Sequence, residues 1–140
     1  MRKIAVVYWS STGNTEEMAK AVAQGARGAG AACDLLTCDQ MDASKAKQYD
    51  ALIFGCPAMG AETLEEDAFE PMFSAVKSAL AGKKVALFGS YGWGGGEWMQ
   101  TWEADCAASG ITLAHESVIC NEAPDDEANA ALEALAKAIG

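Results

Sequence analysis

Ser10-Ser11-Thr12-Gly13-Asn14-Thr15 places four hydroxyls, a glycine and an amide side chain within six residues. The stretch joins an apolar run, Ile4-Ala5-Val6-Val7-Tyr8, to a segment of helical periodicity that begins near Thr15. Hydroxyls, backbone N–H groups and the positive end of a helix dipole together suit a terminal phosphate monoester. The stretch holds no lysine or arginine, and it matches neither a Walker loop nor a G-x-G-x-x-G dinucleotide loop. A Ser/Thr-rich turn that merely caps a helix uses the same residue types. The six residues alone leave both readings open, and two further loops decide between them.

The first of these is Gly55-Cys56-Pro57-Ala58-Met59-Gly60-Ala61-Glu62; the second is Gly89-Ser90-Tyr91-Gly92-Trp93-Gly94-Gly95-Gly96-Glu97-Trp98. Glycines let backbone approach a flat ligand closely, and Met59 and Trp93 supply two apolar faces to sandwich it. A phosphate cradle plus an aromatic slot calls for a phosphorylated, planar, apolar-faced cofactor, and flavin mononucleotide (FMN) meets all three descriptors. Trp9, Trp98 and Trp102 read instead as packing residues, since Trp98 and Trp102 stand one helical turn apart.

The elements that must position these loops follow from the hydrophobic pattern. Residues 3 to 8, 31 to 37, 50 to 55, 83 to 89 and 111 to 120 read as strands, and the intervening segments read as helices. Met18, Val22 and Ala26 line one helical face; Phe69, Phe73, Val76 and Leu80 line a second; Leu132, Leu135 and Ile139 line a third. Alternating strands and helices imply right-handed crossovers and an α/β, doubly wound parallel sheet of five strands with helices on both faces. Ligands of such sheets sit at the carboxyl ends of the strands near the switch in strand order, so the loops after strands one, three and four should face one another. Residues 41 to 48 are too few for a full crossover helix. At 140 residues, 51% of them hydrophobic, one domain over 1–140 is expected.

The net charge of −10 argues against nucleic acid and anionic membrane surfaces as partners and favours proteins with basic surfaces. No apolar run approaches a bilayer span, and Met1-Arg2-Lys3 ahead of a strand does not read as a signal peptide, so a cytoplasmic location is expected. Cys33, Cys38, Cys56, Cys106 and Cys120 are odd in number with no C-x-x-C spacing, which predicts buried free thiols and no metal site. His115 is expected to be a strand residue without a chemical role.

The three loops, in this order, carry a resemblance over essentially the whole chain to the short-chain flavodoxins, above all those of anaerobic clostridia-like bacteria. The resemblance implies strand order 2-1-3-4-5 and a low-potential one-electron carrier. Its non-covalently bound FMN cycles between semiquinone and hydroquinone without substrate turnover, serving basic-surfaced redox proteins that dock transiently on a monomer. Ser10, Thr12 and Thr15 would donate hydroxyls to the phosphate, with the N–H groups from Ser11 through Gly13 and Asn14 to Thr15 completing the cradle. Met59 and Trp93 would cover the inner and outer ring faces, with Pro57, Ala58, Gly60 and Ala61 forming the adjoining backbone. Glu62 would accept from the ring N3–H, Tyr91 and Gly92 would bond O2 through their N–H groups, and Ser90 and Asn121 would neighbour the ribityl chain or ring edge. Two departures stand out: Pro57 where some relatives carry Ser, and Ala61 where Asp, Ser or Gly often follows the loop glycine.

The acidic group Glu62, Glu65, Glu66, Asp67 and Glu70 reads as a solvated helix start beside the cofactor loop. One carboxylate about 10 Å from a reduced flavin, at an effective dielectric of about 20, opposes its added charge by roughly 1.7 kcal/mol, or about 70 mV before salt screening. Such charges predict a strongly reducing carrier. Two other classes share parts of this pattern. A flavodoxin-like FMN oxidoreductase, of the NAD(P)H:quinone or azo-dye reductase type, would usually need added loops and a dimer. A phosphoacceptor receiver domain lacks its residues here, with no acidic pair after strand one and Cys56-Pro57 where the acceptor Asp should stand.

Overall fold

The computed structural model describes residues 3–10, 13–58, 65, 67–80, 82–92 and 96–139. Five strands, β1 (Lys3–Tyr8), β2 (Ala32–Thr37), β3 (Ala51–Gly55), β4 (Lys84–Tyr91) and β5 (Val118–Asn121), form one parallel sheet in the order β2-β1-β3-β4-β5. Order and direction agree with the sequence-based expectation.

Helices α1 (Asn14–Gly28) and α5 (Asp126–Ile139) cover one face, where Met18, Val22, Leu132, Leu135 and Ile139 pack on Ile4, Val6, Ile53 and Phe88. Helices α3 (Phe69–Val76) and α4 (Glu97–Ala108) cover the other, where Phe69, Phe73, Val76, Trp98 and Trp102 pack on Val7, Phe54 and Leu87. Alternate residues of one strand thus serve opposite layers, as the pleat requires. β3 is buried at every position, which matches its unbroken apolar sequence. Phe69, Phe73 and Trp102 interlock, with edge-to-face ring contacts at 5.4 and 5.5 Å from the indole. Trp98 and Trp102 are core residues, as their spacing predicted.

Three local readings are corrected. β5 begins at Val118 rather than residue 111: Leu113 makes one isolated bridge to Val85, and Ala114-His115-Glu116-Ser117, none of them buried, interrupts the pattern before pairing resumes opposite Phe88. His115 therefore lies in a bend, not a strand, with Nδ1 2.8 Å from the Glu116 carbonyl. β4 runs two residues further than read, to Tyr91, because β5 pairs with its last residues. The β2-to-β3 connection carries a 3-10 turn (Cys38–Gln40) and the four-residue helix α2 (Ala43–Ala46), in keeping with its short length. Cys33, Cys38, Cys56 and Cys106 are buried and Cys120 is half-buried, all as free thiols.

Candidate functional site

Register sets the site. Tyr8 pairs with Gly55, and Gly55 with Phe88, so the loops leaving β1, β3 and β4 emerge at one edge of the sheet. The ladder continues past the strand ends: the Trp9 N–H donates to the Gly55 carbonyl at 3.1 Å, and those of Cys56 and Ala58 donate to the Phe88 and Ser90 carbonyls at 3.2 and 3.0 Å. Gly89 permits this approach, because a Cβ there would stand 2.3 Å from the Cys56 carbonyl oxygen. These three loops come from the interior strands, at the point where chain order reverses.

The cradle opens at the N-terminus of α1. Gly13 is the N-cap residue with φ 97°, a left-handed conformation natural to glycine, and among the described residues no side chain caps the helix. The Ser10 hydroxyl accepts the Gly13 N–H at 3.1 Å, which folds the loop back and leaves the Ser10 proton free to donate. Thr15 is 1% exposed, and its hydroxyl has no hydrogen-bond partner among the described residues. An unsatisfied buried hydroxyl costs about 1 to 3 kcal/mol. A phosphate oxygen at the helix N-terminus would remove that cost, so the residues present fit the FMN phosphate. Glu16 and Glu17 lie in the same first turn. Glu16 accepts from the Tyr8 hydroxyl at 3.5 Å and lies 3.9 Å from the Lys20 ammonium, contacts that direct its charge along the helix flank. Burial, then Glu16 itself, raises the Tyr8 hydroxyl's pKa. A cleft of about 380 Å³ beside Trp9 and Ser10 is bordered by Glu16 and Asp39, charges that disfavour an anion there.

On the β4 side, Tyr91 and Asn121 are register partners, which brings both predicted site residues to one corner. Asn121 is exposed and Tyr91 half-buried, its ring tilted against Trp98 at 5.7 Å. The Ser90 hydroxyl donates to the Glu122 carbonyl at 2.6 Å, so toward a ligand it keeps only its capacity to accept. Glu122 is a residue the sequence reading missed. It adopts φ 60°, the one left-handed non-glycine among the described residues, and its N–H donates to the Tyr91 carbonyl at 2.8 Å. The signal available was the turn-forming run Asn121-Glu122-Ala123-Pro124-Asp125 directly after β5. Pro57 and Ala58 are half-buried and continue β3 toward the same edge. Ser11, Thr12, Met59, Gly60, Ala61, Glu62 and Trp93, expected at the same site, lie outside the described residues.

Glu65 departs from the solvated helix start expected of the acidic group. That residue is 6% exposed and directed inward, accepting the N–H groups of Asp67, Ala68 and Phe69 at 2.9, 2.7 and 2.8 Å. Burial pushes its pKa up, but the three N–H bonds outweigh burial and hold it below the usual carboxylate value. It caps α3 and is not part of a solvated rim. Asp67 and Glu70 are exposed, as a solvated helix start requires. The signal for Glu65 lay in its spacing: a carboxylate three to four residues before an apolar helix face.

The family model for flavodoxins matches residues 6–135. Flavodoxin from Megasphaera elsdenii is 42% identical over 137 residues, covering 96% of this chain and 99% of that protein. Flavodoxin from Clostridium beijerinckii is 41% identical over 121 residues, covering 86% and 88%. The solution structure of two-electron reduced Megasphaera elsdenii flavodoxin superposes with a TM-score of 0.89 at 40% identity, over 97% of each chain. With matches of this extent to both sequence and fold, the chain belongs to the flavodoxin family.

Proposed function

We propose that this flavodoxin, an FMN-binding electron carrier, passes single low-potential electrons between basic-surfaced redox proteins, docks on them transiently as a monomer, and turns over no substrate of its own. The observation that supports the cofactor assignment is the buried Thr15 hydroxyl, which has no hydrogen-bond partner among the described residues and stands at the N-terminus of α1. FMN, when bound, supplies one-electron chemistry at its ring. The protein's part is to bind and orient it. Ser10 to Thr15 take the phosphate with neutral donors, the segment from Pro57 to Glu62 takes one side of the ring, and Ser90 to Trp93 with Asn121 take the other side and its polar edge.

The acidic balance supports basic partners, because like charge repels anionic surfaces and opposite charge speeds encounter. Among the described residues no helix is long and apolar enough to cross a membrane, which accords with a proposed cytoplasmic location. A single FMN-binding domain over 1–140 is the matching proposal for domain organisation. Apo-protein titrated with FMN and then reduced stepwise tests this reading. Stoichiometric uptake, two separable one-electron steps and negligible NAD(P)H-dependent quinone reduction are expected. Rapid catalytic quinone turnover would overturn the carrier assignment, and failure to take up FMN would overturn the cofactor.

A further inference from the structure

Cys56 and Glu65 stand nine positions apart, and the Glu65 N–H donates to the Cys56 Sγ at 3.4 Å. Both residues are anchored on every side. The Cys56 N–H is held by β4, its carbonyl accepts the Trp98 indole N–H at 3.1 Å, and its thiol donates toward the Pro57 carbonyl at 3.6 Å. The Glu65 carboxylate gathers three N–H groups at the start of α3, where the N-cap residue Ala68 offers no side-chain cap, and its carbonyl accepts the Glu70 N–H at 2.9 Å. Phe69, whose N–H is one of the three, interlocks with Phe73 and Trp102 in the core.

We infer that Cys56 and Glu65 form a clasp at the neck of the segment 57 to 64, and that Glu65 is thereby a positioning residue for the cofactor. A segment whose two ends are fixed to the core and to each other has less freedom to lose when a ligand settles against it. The clasp fixes where the chain leaves β3 and where it enters α3. Gln at position 65 keeps one carbonyl oxygen, able to accept from Ala68 and Phe69, whereas Ala keeps none. This separates the hydrogen-bonded clasp from the mere presence of a charge.

The inference rests on the proposed FMN site for its cofactor readouts alone, and its first readout needs no cofactor. Apo-protein is alkylated with iodoacetamide and the peptides holding Cys56 and Cys106 are followed by mass spectrometry. Cys106, buried in α4, serves as the control for general loosening. Glu65→Ala is expected to speed Cys56 alkylation by about tenfold or more, with Cys106 unchanged and Glu65→Gln intermediate. In titration Glu65→Ala should weaken FMN by about tenfold, the equivalent of about 1.4 kcal/mol, while Glu65→Gln stays near the parent. The first one-electron potential should move further in Glu65→Ala than in Glu65→Gln. Equal acceleration at both cysteines, or equal effects of Ala and Gln on affinity and potential, would overturn the clasp. Should Glu65→Ala not fold, Glu65→Gln against the parent decides: Cys56 must react faster in the variant. Should the parent take up no FMN, the cofactor reading fails and the alkylation rates judge the clasp alone.

Discussion

The indole N–H of Trp98 donates to the carbonyl of Cys56 at 3.1 Å, and both residues are buried. One side chain of α4 thereby fixes the point at which the cofactor segment leaves β3. Trp98→Phe keeps the packing and orphans that carbonyl, so a stability loss of about 1 to 3 kcal/mol is expected in urea denaturation of the apo-protein. Trp93→Ala, by contrast, should weaken FMN and change its absorption envelope with little loss of apo-protein stability. The reverse pattern would contradict the assignment of Trp93 to the ring face.

Thr15 gives the most direct test of the phosphate cradle. Thr15→Ala should weaken FMN by about 1 to 2 kcal/mol and riboflavin hardly at all, because riboflavin has no phosphate for the hydroxyl to meet. Thr15→Ser should retain most of the affinity. Equal losses for the two ligands in parallel titrations would remove Thr15 from the phosphate site.

Acid should weaken the fold through Glu65. Three backbone N–H bonds hold its carboxyl below the usual carboxylate range, so its contribution to stability is fully present above that range and is lost as pH falls through the lower folded value. Thermal melts of the apo-protein from pH 6 downward should show Tm falling more steeply in the parent than in Glu65→Gln, which starts lower and has no carboxylate there to protonate. Parallel curves would mean that other carboxylates govern the acid limb.

Partner docking should be read from Asp67 and Glu70, the exposed members of the acidic group, rather than from Glu65. Electron transfer to a basic partner should slow with added salt, as the screening length falls from about 10 Å at 0.1 M to about 3 Å at 1 M. Reversing Asp67 and Glu70 to Lys should lower the association rate in stopped-flow measurements and leave the limiting transfer rate unchanged.

The sheet was legible because its information is local. Runs such as Ala51-Leu52-Ile53-Phe54 admit no amphipathic reading, and the helical stripes through Met18 and Leu132 are buried completely. β5 was legible only in part, since its start depends on where β4 offers a partner, and no local signal separates Ile111 from Val118 in that respect. Among the candidate site residues, Ser10, Gly13 and Thr15 stand out by residue type. Glu65 did not, because a carboxylate before an apolar helix looks the same in sequence whether it faces water or collects backbone N–H groups. Glu122 escaped for a related reason: its bonds to Ser90 and Tyr91 are made by its backbone, whatever its side chain.

The three cofactor loops spring from β1, β3 and β4, each of which has a paired strand on both sides, while β2 and β5 form the borders. Thermal fraying begins at borders, where fewer contacts must break together. Partial opening of β2 would therefore leave the cradle and the ring slot assembled. Release of the flavin, seen as recovered fluorescence, then reports the cooperative collapse of the sheet's centre and trails any probe placed on β2.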